Sequence, residues 1–273
     1  SLSLSLSLSH SCQMIGAVVS VDSSSTLTFS GTSSITSNAA TLQLTGSTVT
    51  VQNSASLAFL TGSSLSLDAS STLQVTGGGS LSWLGAGTAT CTSGATISLA
   101  DTSSSISIAA SGWESLSAQL LVQSGATFSA ASTVGFAAVQ ILGGELDLAA
   151  SASLVTPEVT LKSSGILSLA GGSSLISPAL SMFDSSHLTI GGTVTTSAGM
   201  ILVTNSALLS LSSSGTISLS SSTLQVDPTA SASLLGVLSV SSTSTLSIFG
   251  TVSVSSGAMS VSGGSSVSLS SGS

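Results

Sequence analysis

The chain has 273 residues, of which 41% are hydrophobic and 4% are charged, and its formal net charge at pH 7 is −8. Soluble domains usually carry about a quarter of their residues as Asp, Glu, Lys or Arg, so neutral Ser and Thr side chains must form most of this surface. Lys162 is the single basic residue, which excludes nucleic acids and anionic membranes as partners, because one positive charge cannot neutralise a run of phosphates.

The first element is a strict alternation of Ser and Leu over residues 1–9. Alternation with a period of two is typical of a β-strand that buries one face. Nowhere does the chain approach the roughly 18 to 20 consecutive apolar residues that a membrane-spanning helix needs. The sequence therefore predicts strands and no membrane span.

A short unit of the form apolar-x-apolar, set among Ser, Thr and Gly, then recurs every 7 or 8 residues. Its clear copies are Leu42/Leu44, Val49/Val51, Leu57/Phe59, Leu65/Leu67, Leu73/Val75, Leu81/Trp83 and Ile97/Leu99. One slot, at Ala89/Cys91, is blurred. Gly and Ser-Ser pairs between the copies favour tight corners, so each unit predicts one short strand followed by one corner.

Residues 112–155 are less regular, and they contain the bulky residues Trp113, Phe128 and Phe136. We expect a longer corner, a short helix or a bulged coil there, rather than a separate domain. The alternating unit then returns and continues almost to the last residue. Its later copies are Leu188/Ile190, Ile201/Val203, Leu209/Leu211, Ile217/Leu219, Leu224/Val226, Leu238/Val240, Leu246/Ile248, Val252/Val254, Met259/Val261 and Val267/Leu269.

The fold class follows from the repeat. A single unit cannot bury its apolar face alone, so it must stack on neighbours, which is the signature of a solenoid. Three units would make one coil of about 22 to 24 residues. We predict a single all-β domain over residues 1–273, a parallel β-helix (β-solenoid) with about three short strands per coil. A large antiparallel sandwich is the alternative, but its hairpins favour Asn-Gly or Asp-Gly turns, and neither dipeptide occurs.

The carboxylates do not form an evident catalytic set. Asp22 and Asp68 lie 46 residues apart, as do Asp101 and Asp147. Two coils correspond to about 10 Å, which is too far for a shared proton, although it falls in the range of an inverting glycosidase pair. We interpret these residues as solvated corner positions and expect no enzyme and no cofactor.

The candidate metal ligands and the cysteines are equally sparse. His10, Cys12 and His187 do not supply the four ligands of a structural zinc site, so we expect no metal. Cys12 and Cys91 are more than three coils apart, roughly 15 Å along the stack, whereas a disulfide needs Cα atoms within about 7 Å. We expect no intrachain bridge between regular coils, and a disulfide between subunits through Cys12 is the alternative to a free thiol.

The two ends of the sequence predict assembly. Solitary solenoids normally cover their terminal strand edges, yet both ends here read as strands ready to pair. Pairing of unlike ends does not close and produces filaments. The predicted assembly ends are Ser1, Leu2, Leu4, Leu6, Leu8, Val267 and Leu269.

We therefore expect a non-enzymatic structural subunit of an extracellular filament, hair, sheath or wall. Its partners would be further copies of itself, joined head to tail, and surface glycans or other wall proteins. The many hydroxyl groups are candidate O-glycosylation sites. An ice-binding solenoid is a further alternative, and it rests on Thr-x-Thr pairs such as Thr48/Thr50 and Thr193/Thr195.

The short Ser/Thr/Gly-rich strands also resemble, over essentially the whole chain, the β-helical stalks of bacterial autotransporter adhesins and filamentous haemagglutinins. The resemblance is architectural and implies an adhesin stalk on a cell surface as the alternative function.

Overall fold

The structure is a computed structural model that describes residues 3–7 by their backbone and residues 11–22, 24–114 and 117–270 in full. Within these ranges every regular element is a β-strand. The chain divides into two compact units, Ser1–Ala138 and Val139–Ser273. Whether they form one domain, as the sequence predicts, stays a prediction.

Unit 1 is built from short strands that follow one another in groups of three, except in the coil of residues 96–114, which has two. They are β1 (Ser3–Ser7), β2 (Cys12–Ile15), β3 (Val18–Asp22), β4 (Thr26–Ser30), β5 (Ser34–Asn38), β6 (Thr41–Thr45), β7 (Thr48–Val51), β8 (Ser56–Phe59), β9 (Ser64–Leu67), β10 (Thr72–Val75), β11 (Ser80–Trp83), β12 (Thr88–Cys91), β13 (Thr96–Leu99), β14 (Ser105–Ile108), β15 (Gln119–Gln123), β16 (Thr127–Ala130) and β17 (Thr133–Gly135).

Unit 2 continues in the same manner. Its strands are β18 (Ala138–Leu142), β19 (Glu145–Leu148), β20 (Ser153–Val155), β21 (Glu158–Lys162), β22 (Ile166–Leu169), β23 (Ser174–Ile176), β24 (Ala179–Met182), β25 (His187–Ile190), β26 (Thr193–Ser197), β27 (Met200–Val203), β28 (Leu208–Leu211), β29 (Thr216–Ser220), β30 (Thr223–Val226), β31 (Ser231–Leu234), β32 (Val237–Ser241), β33 (Thr245–Ile248), β34 (Thr251–Val254), β35 (Ala258–Val261) and β36 (Ser266–Leu269).

The strands of each unit pair in parallel with the strand one coil before and one coil after. In unit 1 the first sheet has the order β1-β4-β7-β10-β13-β15, the second β2-β5-β8-β11-β14-β16 and the third β3-β6-β9-β12. In unit 2 the corresponding orders are β18-β21-β24-β27-β30-β33-β36, β19-β22-β25-β28-β31-β34 and β20-β23-β26-β29-β32-β35. The predicted parallel β-solenoid with about three strands per coil is confirmed.

The core consists of the apolar member of each alternating pair. Side chains of successive strand residues point to opposite faces of a sheet. In strand β10, Leu73 and Val75 are therefore buried, whereas the alternating Thr72 and Gln74 lie on the outer face and are half-buried. The blurred slot of the sequence follows the same rule, because Ala89 is buried within strand β12.

The largest side chains of unit 1 form a ladder inside the coils. The Phe59 and Trp83 ring centroids lie 4.9 Å apart, and the Trp83 and Trp113 centroids lie 5.8 Å apart in an edge-to-face arrangement. The indole Nε1 of Trp83 donates a hydrogen bond to the carbonyl oxygen of Ser111 at 3.1 Å. These rings explain why the region is less regular in sequence: Trp113 occupies the third position of its coil through an isolated bridge to Val134 instead of a strand.

Corners absorb differences in coil length. Hydrogen-bonded partners on successive coils lie 24 residues apart in unit 1, where the Ser47 N–H donates to the Ser71 hydroxyl. They lie 21 residues apart in unit 2, where the Ser174 hydroxyl donates to the Ser153 hydroxyl. The corners often use the left-handed backbone region, where Ser185 has a φ of 60°. None of the described segments is an apolar helix of membrane-spanning length.

Candidate assembly surface

The last described coil of unit 2, formed by strands β34 and β35 with β36 after them, leaves core-facing side chains uncovered. Met259 pairs in register with Leu238 of the preceding coil, so both point inward. Leu238 is 1% exposed, whereas Met259 is 42% exposed. Leu269 on β36 is 72% exposed although its register partner Ile248 is buried. The difference arises because no described strand stacks on the outer side of this coil.

The open surface therefore combines two unmet requirements. Its apolar members are Val254, Met259, Val261, Val267 and Leu269, all of which are exposed. Strands β34, β35 and β36 also stand last in their sheets, so one edge of each carries peptide N–H and C=O groups that no described strand bonds. Such an edge is a template for a further strand. We call these strands and side chains the open coil.

The first described coil of unit 1 also presents an uncovered edge, on the side away from the next coil of that unit. Strand β2 pairs with β5 so that Cys12 lies opposite Ile35 and Met14 lies opposite Ser37. Ile35 and Ser37 face the core and are buried, which places Cys12 and Met14 at core-facing positions too. Cys12 is nevertheless exposed and Met14 is half-buried. A core-facing residue that meets solvent marks a second uncovered coil.

The structure places only some of the predicted assembly residues. Val267 and Leu269 belong to the open coil. Leu4 and Leu6 lie on β1, opposite Leu27 and Phe29 of β4. Ser1, Leu2 and Leu8 lie outside the described residues, so their role stays a prediction.

Two strands of the open coil were not singled out from the sequence as assembly elements. They are β34, with Val254, and β35, with Met259 and Val261. Their alternation is visible in the sequence, but alternation alone does not tell which strand lacks a neighbour. That information comes only from the stacking order.

The two cysteines lie in different surroundings. Both are free thiols in the structure, Cys12 exposed and Cys91 buried. Burial raises the pKa of the Cys91 thiol to about 12. A thiol held in its protonated form reacts poorly, so Cys91 acts as a small apolar core residue.

Two of the four candidate carboxylates, Asp68 and Asp101, lie at corners as predicted. The corner prediction is wrong for Asp147, which lies within strand β19 and alternates outward between the buried Leu146 and Leu148. Asp22 is the last residue of strand β3.

Asp68 accepts hydrogen bonds from the Ser71 hydroxyl and from the Gly46 N–H of the adjacent coil. Asp101 likewise accepts hydrogen bonds from the Thr76 hydroxyl and the Gly77 N–H. The pKa of each carboxyl is lowered, first by the hydroxyl and then by the backbone N–H. Both carboxylates therefore tie one corner to the corner of the previous coil.

The lowered pKa values predict an acid-labile contribution to stability. A carboxyl whose pKa is lower in the folded state stabilises the fold above its ordinary value of 3.8, and this stabilisation is lost as the pH falls through the folded pKa. We expect the double variant Asp68→Asn/Asp101→Asn to lose less stability than the wild type between about pH 5 and about pH 2. Denaturant unfolding at both pH values measures the difference.

A charge-matched control is the pair Glu145→Gln and Asp147→Asn on the outer face of β19, which removes two carboxylates from a strand rather than from corners. Equal acid sensitivity of the corner variant and the wild type would contradict the role of the corner carboxylates.

The residues considered as candidate metal ligands, His10, Cys12 and His187, form no cluster within the part of the chain that the structure describes. His187 begins strand β25 on its outer face, and His10 lies outside the described residues. Within residues 11–22, 24–114 and 117–270, no three His, Cys, Asp or Glu side chains converge on a metal-sized site.

The outer face of the first sheet in unit 1 carries a regular column of threonines. Thr26, Thr48, Thr72 and Thr96 occupy the same register position on successive strands β4, β7, β10 and β13. Stacked strands are about 4.8 Å apart, so methyl and hydroxyl groups repeat at that spacing. The column was not evident in the sequence because the intervals between these residues are unequal.

The geometry described above therefore offers two uncovered coil edges and neutral outer faces. The chain shows no match to any protein-family model, to any curated protein or to any solved structure.

Proposed function

We propose that this chain is a non-enzymatic structural subunit of an extracellular filament, hair, sheath or wall, in which copies join by stacking one coil on another. The observation that carries the proposal is the open coil, whose core-facing Met259, Val261 and Leu269 meet solvent. Covering an apolar side chain of this size contributes on the order of 1 kcal/mol or more, so the open coil favours association with a further coil.

A second copy is the partner that fits this surface best. Any covering coil must supply three parallel strands with the same alternation of apolar and hydroxyl side chains, and the coils of this chain have that form. The first coil of unit 1 is itself uncovered, with Cys12 exposed at a core-facing position. Joining unlike surfaces in this way continues indefinitely and builds a filament.

The outer surface supports an extracellular setting. With Lys162 as the only basic residue, the chain offers almost no sites to trypsin-like proteases. Rows of outward Ser and Thr side chains stabilise the sheets through cross-strand contacts and leave neutral faces, which can approach glycans or wall proteins without desolvating charges. We propose accordingly that the chain lies outside the cell and that glycans or wall proteins contact these neutral faces.

An adhesin stalk, as in autotransporters and filamentous haemagglutinins, is supported by the Ser/Thr-rich solenoid architecture alone. The threonine column of Thr26, Thr48, Thr72 and Thr96 favours a different second function, binding to ice, because its hydroxyl and methyl groups repeat regularly. Thermal hysteresis of the purified chain, and its loss on replacing Thr48 and Thr72 by Lys, tests that function directly.

The filament proposal is tested by a matched pair of variants on strand β35. Met259→Glu places a carboxylate at a core-facing position, and burying an unpaired charge costs several kcal/mol. Ser260→Glu adds the same charge one residue away on the outer face. Sedimentation and negative-stain microscopy should show fibres for the wild type and for Ser260→Glu at similar concentrations. Met259→Glu should stay dispersed up to a protein concentration about 100-fold higher than the one at which the wild type forms fibres.

Wild-type protein that stays dispersed at every concentration would overturn the proposal. Fibres formed equally well by Met259→Glu would show that assembly does not use the open coil, and would overturn it as well.

A further inference from the structure

Strand β36 begins a coil that the described part of unit 2 does not complete. The strands of unit 2 follow one another as first, second and third members of a coil, from β18, β19 and β20 to β33, β34 and β35. Strand β36 then takes the first position once more, stacked on β33. The second and third positions of that coil, above β34 and β35, are open within residues 139–270.

The first coil of unit 1 has three strands, but the incomplete coil of unit 2 has only two open positions. The first coil of a second copy therefore cannot fill them unchanged. Its strands β1, β2 and β3 hold the first, second and third positions, and they pair with β4, β5 and β6 of the next coil. A second copy could fill the open second and third positions with its β2 and β3. Its β1 would then need the first position, which β36 already occupies.

Strand β36 matches β1 in its sequence pattern. Ser266-Val267-Ser268-Leu269 repeats the polar-apolar alternation of Ser3-Leu4-Ser5-Leu6. In β1, Leu4 and Leu6 lie opposite Leu27 and Phe29 of β4. In β36, Val267 and Leu269 take the corresponding positions relative to Leu246 and Ile248 of β33. The side chains that β36 would present to another first-sheet strand are thus of the same type and spacing.

Because β36 and β1 agree in position and pattern, we infer that copies join by strand exchange. In this exchange β36 of one copy takes the place of β1 of the next copy and pairs with that copy's β4. The inference rests on the proposed filament function. The joint then contains a composite coil, with β36 from one copy and β2 and β3 from the other. Each sheet continues without an empty position.

The energetics favour exchange over simple stacking. Loss of the β1–β4 pairing is largely offset by the β36–β4 pairing, because β36 repeats the alternation of β1 over four ladder positions where β1 has five. The net gain comes from the second and third sheets, where β2 covers Val254 and β3 covers Met259 and Val261. If β1 instead stacked on β36, those side chains would stay uncovered, since the second and third positions would be empty.

Strand exchange requires β1 to dissociate from β4 before another copy can join, so β1 inhibits assembly. A variant that lacks residues 1–9 exposes the edge of β4 from the start. In the wild type only the fraction of copies that have released β1 can join a fibre, whereas every copy of the deletion variant can. Fibres of the variant should therefore grow about tenfold faster or more. Seeding with preformed wild-type fibres and following light scattering measures the elongation rate.

A disulfide reports the register of the joint independently of that deletion. Cys12 and Val252 are the first core-facing residues of β2 and β34, as their partners Ile35 and Ala232 show. In the composite coil they stack directly, about 4.8 Å apart, within the Cα separation of a disulfide. Val252→Cys should therefore cross-link successive copies through Cys12 under mild oxidation and give a ladder of covalent oligomers on non-reducing gels.

Ser253→Cys is the matched control, because the adjacent residue points to the outer face, and it should give no ladder. Adding Cys12→Ser to Val252→Cys should abolish the ladder. Buried Cys91 is common to all of these variants.

Fibres of Val252→Cys that give no ladder would overturn the exchange, since stacking of β1 on β36 places Cys12 about 10 Å from residue 252. Fibre growth that is slowed or lost in the folded deletion variant would overturn it too, by showing that β1 is itself a joint strand. Absence of fibres from the wild type as well would contradict the proposed function rather than the register of the joint.

Discussion

Gly199→Ala should lower the free energy of unfolding of unit 2 by about 3 kcal/mol, the upper end of the usual cost of overpacking. Gly199 precedes β27, and a Cβ atom built on it would overlap the carbonyl oxygen of Pro178 in the previous coil. That oxygen accepts the hydrogen bond from the Met200 N–H at 2.7 Å, so neither group can retreat without breaking the stack. Chemical denaturation followed by far-UV circular dichroism measures the loss.

Gly171→Ala is the matched control within the same unit. The nearest atom to its added Cβ is the carbonyl oxygen of Gly191 at 3.9 Å, which is ordinary contact, and its φ is not in the left-handed region. We expect no loss, and a gain of about 0.4 to 1 kcal/mol from the stiffer unfolded chain. Similar losses in both variants would contradict a steric origin at Gly199.

Trp83→Ala should destabilise unit 1 by about 3 to 5 kcal/mol. The indole is completely buried and packs between Phe59 and Trp113, so truncation leaves a cavity inside the coils. It also removes the donor that bonds to the Ser111 carbonyl oxygen. Because a solenoid coil is stabilised chiefly by its neighbours, hydrogen exchange should rise most in strands β8 and β11.

Trp83→Phe separates the two contributions. It retains an aromatic ring for the contact with Phe59 and loses only the hydrogen bond and part of the volume, so we expect a loss of about 1 to 2 kcal/mol. A loss as large as that of Trp83→Ala would show that the hydrogen bond, rather than the packing, dominates at this site.

The fold was predictable from the sequence because its signal is local. Alternation such as that of Leu73 and Val75 determines which face of a strand is buried, and it holds in nearly every coil. Even the blurred slot at Ala89 obeys it. A strand that buries one face and repeats every few residues needs stacked neighbours, so the parallel solenoid follows without any long-range information.

The alignment of one coil with the next was decided by the tertiary structure. Corners differ in length, so a 24-residue step at Ser47 and Ser71 and a 21-residue step at Ser153 and Ser174 both preserve register. The bonds of Asp68 to the previous corner and the column that contains Thr48 therefore could not be placed by counting residues. Backbone conformation at the corners sets these contacts.

Composition and alternation alone determined that the chain is a charge-poor, all-β solenoid with hydroxyl-rich outer faces. Only the stacking order showed that Met259 and Leu269 are core-facing residues without cover. It also showed that β36 and β1 each hold the first position of their own coil. The physical reason is that a strand's faces are fixed by its own sequence, whereas its edges are defined by whichever strand lies beside it.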